Sequence, residues 1–345
     1  NCLSVQPVET EFGRKTQIHQ SSCNKAYSCL NGDCPSFVTV IPLGAPLTNE
    51  LKRFMVDRPL AEPALRVPAT GASIFMMGIG GTGVVTVNQI LGTAAVLDGR
   101  HVRGLDQTGL SQKGGPVVSH LKLFDTPQEV SNKVAAAAAD CYVGFDILVA
   151  TAPQNLDHAR PDRTLAVVST SQVPTGQMVV STEAQFPESN GLVASINRFT
   201  RKDENVYLDA LGLAERLFED HMATNMLVLG AAYQAGAIPV SASAIEAAIV
   251  LNGVAVQMNT QAFRAGRLAV LDSAWAQGVG KRRAGGVDEV PVLGEELAAL
   301  VDGVGATGEL RRLLEVRVPE LAAYQDVAYA RGYVEFVTRV AAAER

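Results

Sequence analysis

Four of the five cysteines fall in the first 34 residues, as Cys2, Cys23, Cys29 and Cys34, and Pro35 follows the last directly. Thiolates are soft ligands that suit zinc or iron–sulfur clusters, and a ligand cysteine followed by proline recurs in ferredoxin-type motifs. The spacing leaves 20, 5 and 4 residues between successive cysteines, which is not the ordinary ferredoxin run. A cluster, a structural zinc and disulfides therefore stay open on spacing alone, although an acidic, cytoplasmic-looking chain disfavours disulfides. Cys141 stands apart in an apolar stretch and is expected to be a small buried hydrophobe.

A second candidate is the glycine-rich stretch Gly78, Gly80, Gly81 and Gly83, in which Gly78, Gly80 and Gly83 satisfy G-x-G-x-x-G. It follows the apolar run 73–77 and precedes a long apolar-periodic stretch, so it reads as strand, turn and helix. Such a turn lets backbone N–H groups and a helix N-terminus approach a phosphate. A tight strand-to-helix crossing with no ligand explains it nearly as well. A dinucleotide would need an acidic residue on the second strand, and Asp106 lies at about that distance.

The third candidate is the polar loop between Leu105 and Pro116, which carries Asp106, Gln107, Thr108, Ser111, Gln112 and Lys113 among glycines. Polar loops on a rigid sheet are common binding sites, while the plainer reading is a solvated turn held by Ser and Thr hydroxyls. Lys113 could face a phosphate or a carboxylate, with Arg103 nearby. His19, His101, His120, His158 and His221 are too scattered to suggest a metal site by spacing, and no Ser-His-Asp arrangement is visible.

These groups need a scaffold. The chain has 345 residues, 47% hydrophobic and 19% charged, which predicts about two domains with a sizeable core. The net charge of −6 argues against a nucleic-acid partner, since phosphate backbones demand clustered Lys and Arg. Lys281, Arg282 and Arg283 make one short basic run that reads as a solvated loop. No apolar stretch reaches the roughly 18 residues needed to span a bilayer, so no membrane role and a cytoplasmic location are expected. The chain opens on Asn1 rather than Met, and is expected to be a piece of a longer protein.

Strands are predicted near 102–105, 117–124, 147–150 and 165–169, alternating with helices. Apolar periodicity predicts a helix over 211–235 ending at Gly236, a capping box at Ser243 and Glu246, and a helix over 253–271. The expected fold class is α/β: a Rossmann-like, mostly parallel sheet with a Cys-rich N-terminal arm and a helical C-terminal region. The expected division is an arm over 1–42, a Pro-rich linker over 43–70 lying along the next domain, an α/β domain over 71–275 and a helical region over 276–345.

Two stretches together carry a family resemblance. Residues 1–15, His19 to Cys23 and Cys29 to Val40 resemble the cysteine-rich segment of the fused indolepyruvate ferredoxin oxidoreductases. Gly78 to Gly83, with Arg103-Gly-Leu-Asp-Gln-Thr-Gly-Leu-Ser-Gln-Lys-Gly-Gly-Pro116, resembles their gamma domain, as do Thr170 to Thr175 and Asn225 to Gly230. The tail from Glu295, with Tyr324 to Tyr329, resembles the start of the helical region that follows it.

The resemblance implies thiamine diphosphate chemistry with Mg2+. A 2-oxoacid of the indolepyruvate or arylpyruvate kind loses CO2, coenzyme A takes the acyl group, and electrons leave through iron–sulfur clusters to ferredoxin. It further implies that Cys2, Cys23, Cys29 and Cys34 bind a [4Fe-4S] cluster. Gly78 to Gly83 would either hold a phosphate of coenzyme A or only pack, and the Gln107 to Gly115 loop would face the thiamine domain. No thiamine-binding segment is evident here, so that part is expected elsewhere in the full-length protein. A homo-oligomer is expected. The alternatives are a free-standing NAD-binding oxidoreductase with structural zinc, and a scaffold whose glycine turn is only structural.

Overall fold

A computed structural model of the chain describes residues 4–10, 13–23, 28–31, 54–80, 83–109, 115–181, 183–280 and 293–343. Outside these lie Cys2, Cys34, Gly81, Ser111, Gln112, Lys113 and the basic run Lys281 to Arg283, so their expected roles have no structural counterpart here.

The chain divides into two compact units at 281/282. The first opens with a hairpin of β1 (Val5–Thr10) and β2 (Gly13–Ile18). Its centre is a six-stranded sheet of β3 (Gly71–Ile79), β4 (His101–Gln107), β5 (Pro116–Phe124), β6 (Cys141–Gly144), β7 (Leu165–Ser169) and β8 (Val206–Leu208), in the order β4-β5-β3-β6-β7-β8. Only β5 runs against the other five, so the sheet is mostly parallel as expected. α1 (Val84–Leu97) carries the chain from β3 to the outer strand β4, and β5 then folds back between the two.

The all-apolar run of β3 follows from burial on both faces. Ile74 and Met76 enter one core layer with α1, while Phe75 and Met77 enter the other with Tyr142 and Val168. The first layer is covered by α6 (Ala210–Phe218), α7 (Thr224–Gln234), α8 (Ala242–Asn252) and α9 (Val256–Leu271), beside α10 (Ser273–Gly280). The second is covered by the short α2 (Ile147–Ala150) and α3 (Pro153–Leu156) and by α5 (Ser189–Asn197), with α4 (Gly176–Val180) near the hairpin. α7 and α9 touch backbone to backbone: a Cβ on Gly230 would lie 1.9 Å from the Phe263 carbonyl oxygen, and one on Gly266 1.9 Å from that of Leu227.

Three local expectations are corrected. Residues 147–150 are helical rather than a strand, because the Asp146 side chain accepts from Val149 N–H and caps a helical turn there. The helical run expected over 211–235 is broken, because Glu219 takes φ 56° and Asp220 caps a 3-10 turn before α7 begins. α8 starts from Ser241, whose hydroxyl caps Ala244 N–H, while Glu246 pairs instead with Arg264 at 2.7 Å. Gly236 does end α7, at φ 76°.

Residues 54–67 lie along this unit: Val56 N–H donates to Gln261 Oε1 and Arg66 N–H to the Gly236 carbonyl, both at 2.8 Å. Arg267, 5% exposed, anchors the same strap through the Ala61 carbonyl and Glu62, beneath the Tyr233 ring 4.9 Å away. The second unit holds α11 (Glu295–Asp302), α12 (Gly308–Tyr324) and α13 (Val327–Ala343) around Val301, Leu314, Val318 and Ala330. Among the described residues no helix is long and apolar enough to cross a membrane.

Candidate functional site

The carboxyl ends of β3, β4, β6, β7 and β8 share one edge of the sheet, where open α/β sheets bind ligands. Gly78 is not in the turn: it belongs to β3 and pairs with Val117. Gly80 follows the strand, and its N–H donates to the Gly115 carbonyl at 3.1 Å, so the two glycine-rich stretches meet. Gly83 precedes α1 at φ 92°, where a side chain would be strained, and a Cβ there would stand 3.4 Å from Asn225 Nδ2. Among the described residues no side chain caps α1, which leaves its first-turn N–H groups for other acceptors. A phosphate here would use those groups and not the Gly80 amide.

Asp106 and Gln107 end β4 with their side chains on opposite faces, as alternation along a strand requires. Asp106 Oδ1 accepts from Asn88 Nδ2 at 2.8 Å and from the Ser119 hydroxyl. This carboxylate is tied to α1 and β5. Moreover β4 is separated from β3 by an antiparallel strand, whereas the ribose partner of a dinucleotide site sits on the parallel neighbour of the first strand. The NAD alternative loses its structural basis on both counts. Thr108 is exposed at the start of the loop.

Three groups near this edge were given no role by the sequence. His120, wholly buried in β5, bonds to Gln107 Oε1 at 3.1 Å. Asp146 is 3% exposed, and burial pushes its carboxyl up to about 6 against two backbone N–H bonds. Among the described residues its Oδ2 has no partner, nor has the buried Oδ1 of Asn88. Ser169, the last residue of β7, and Ser171 just beyond it link hydroxyls at 3.0 Å, and Ser171 donates to Asp209 at 2.7 Å. An Asp before an apolar run is a recognisable helix-cap signal, so Asp146 could have been found; the others depend on long-range pairing.

Of the arm cysteines, Cys23 is half-buried and Cys29 exposed. Two thiols are half of the expected ligand set. Among the described residues no group of three or more His, Cys, Asp or Glu could hold a metal ion. The arm is nonetheless docked beside Cys23: His19 Nε2 and Ser21 Oγ both reach Glu215 Oε1 at 2.7 Å, and His221 Nδ1 lies 2.6 Å from the Ser21 carbonyl. Burial would raise the Glu215 carboxyl, but the bonds from His19 and Ser21 and the charges of His19 and His221 outweigh it and hold it below its usual value. Arg14 braces the hairpin on the Ala184 and Met178 carbonyls at 2.7 and 3.2 Å. Cys141 is buried as expected, and burial pushes its thiol up.

The class defined by the matching sequence is that of the 2-oxoacid ferredoxin oxidoreductases. Residues 73–269 match the pyruvate ferredoxin/flavodoxin oxidoreductase family, to which the chain belongs. Curated relatives include the indolepyruvate oxidoreductase subunit IorB of Archaeoglobus fulgidus, 24% identical over 56% of this chain and 92% of that protein. The protein of the same name from Pyrococcus horikoshii is 27% identical over 56% of this chain and 93% of its own length. Among solved structures, pyruvate oxidoreductase subunit PORC of Thermotoga maritima covers 57% of this chain and 96% of its own, at 20% identity and a TM-score of 0.41.

Proposed function

We propose that this chain is the gamma-type domain and cysteine arm of a cytoplasmic 2-oxoacid oxidoreductase acting on indolepyruvate or a related arylpyruvate. The observation that carries the reading is the family match over 73–269, joined to a polar loop that meets the glycine turn at the sheet's carboxyl edge. The curated relatives are named as subunits of an indolepyruvate oxidoreductase, which supports both the substrate class and further subunits or domains as partners.

On this reading thiamine diphosphate with Mg2+, held by thiamine-binding domains of the same full-length protein, would supply the decarboxylation chemistry, and a [4Fe-4S] cluster held by the arm cysteines would supply one-electron chemistry toward ferredoxin. The residues of this chain orient and exclude water. Gln107 and Thr108, with Ser111, Gln112 and Lys113, would present hydrogen-bonding groups to the thiamine site. The first turn of α1 after Gly83 would receive a phosphate of coenzyme A. Cys23 and Cys29, with Cys2 and Cys34, would hold the cluster, and the Glu215 contacts would fix the arm against the α/β domain.

The test is anaerobic purification with measurement of iron, acid-labile sulfide and zinc, followed by coenzyme A-dependent ferredoxin reduction with an arylpyruvate in the full enzyme. Equal iron and sulfide, bleached by dithionite, with turnover on the arylpyruvate, is the expected result. Stoichiometric zinc without sulfide would refute the electron-transfer role, and turnover on pyruvate alone would refute the substrate class.

A further inference from the structure

Behind the polar loop three groups orient one another through bonds of known direction. Val134 N–H can only donate, and it donates to His120 Nδ1 at 3.2 Å. That nitrogen carries no proton, so the neutral ring holds its hydrogen on Nε2. Burial, and then the charges of His158, Lys133 and Lys122, pull the imidazole down to about 4, and the ring is neutral at physiological pH. Nε2–H therefore donates to Gln107 Oε1, 3.1 Å away.

The ring cannot swing aside. It is wholly buried and packs 4.9 Å from the Phe75 ring, which in turn stacks on His158 at 4.2 Å. Gln107 is exposed, and it is the diagonal neighbour of His120 across the β4–β5 hairpin, since Gln107 pairs with Val118 and Leu105 with His120. A free glutamine offers a donor or an acceptor equally well by rotating its amide. Here the oxygen is taken, and among the described residues nothing accepts from the Nε2 hydrogens.

We infer that His120 is a positioning residue that holds Gln107, at the end of β4, with its amide NH2 presented outward, so that this amide takes an anionic oxygen, of a phosphate or of a 2-oxoacid carboxylate. The class of ligand rests on the proposed function, because it assumes that the loop meets one; the orientation does not. A pre-oriented donor avoids reorganisation on binding and rejects a ligand that offers only a donor.

The test uses the 15N-labelled 345-residue chain. Long-range 1H–15N spectra at neutral pH are expected to show His120 as the Nε2–H tautomer, and an Nδ1–H tautomer would overturn the inference whatever the ligand. Titration with inorganic diphosphate and, separately, with phenylpyruvate is expected to move the Gln107 side-chain amide saturably with one of the two, which separates the phosphate from the carboxylate source. Gln107→Glu, an exposed substitution that presents only acceptors, is expected to weaken that binding at least tenfold, and His120→Phe several-fold. Unchanged affinity in Gln107→Glu would overturn the acceptor class. A correct tautomer with no response to either probe would overturn the acceptor class together with the proposed role of the loop, and would leave the orientation of Gln107 standing.

Discussion

Asp146→Asn should make the protein more stable above pH 6, a result opposite to the usual effect of altering a helix cap. The carboxyl is 3% exposed, one oxygen caps Val149 N–H and the other is buried without a partner among the described residues. Burial raises its folded value from 3.8 to about 6. The sign follows from linkage: the unfolded chain releases this proton first, so the carboxyl destabilises the fold progressively as pH rises from the unfolded value through the folded one. At about 1.36 kcal/mol per unit the full cost is about 3 kcal/mol at pH 8, of which about 1.4 kcal/mol develops between pH 5 and pH 8. Asparagine keeps the cap and resembles the protonated acid. Denaturant unfolding of both proteins at pH 4, 5 and 8 should show a gain near 3 kcal/mol at pH 8 that largely disappears by pH 4. A gain independent of pH, or a loss at pH 8, would refute the reasoning. Such a loss would mean that the orphaned oxygen is already solvated or paired.

Gly230→Ala should cost about 3 kcal/mol or more, because the clash is with the Phe263 carbonyl on a neighbouring backbone and no side chain can yield; thermal unfolding reads it. Glu215→Gln should loosen the arm, raising the alkylation rate of Cys23 two- to fivefold, as suits a partly exposed pair worth about 0.5–1 kcal/mol. Since the Glu215 carboxyl is held below its usual value, that difference should fade as pH falls below about 4.5; persistence at low pH would point to steric packing instead. Arg267→Met should free the strap over 54–67, reducing hydrogen-exchange protection of the Arg66 amide at least tenfold, and unchanged protection would show that Val56 and Val67 suffice to hold it.

Local chemistry made much of the molecule readable. The glycine-rich turn was recognisable because an apolar strand and a periodic helix flank it, and the helix end at Gly236 because a left-handed cap needs glycine. The two-sided burial of β3 was visible as a continuous apolar run, and the arm as cysteines without hydrophobic periodicity. Ile147 to Ala150 was misread because four apolar residues fit a buried strand and a helical turn equally well, and only the carboxylate of Asp146 decides between them.

The sequence by itself therefore determined most of the element types, the α/β class and the donor groups that the arm and the loop carry. Tertiary structure alone decided who meets whom. β5 entering between β3 and β4 removed Asp106 from a dinucleotide role, a choice of strand order that no local signal carries. His120 and Gln107 are 13 residues apart and meet only through the register of one hairpin. Ser21 and Glu215 are 194 apart and meet because the arm folds back over α6. Spacing along a chain reports helix and strand geometry over a few residues, whereas a buried hydrogen bond between distant groups exists only once the packed core has brought them together.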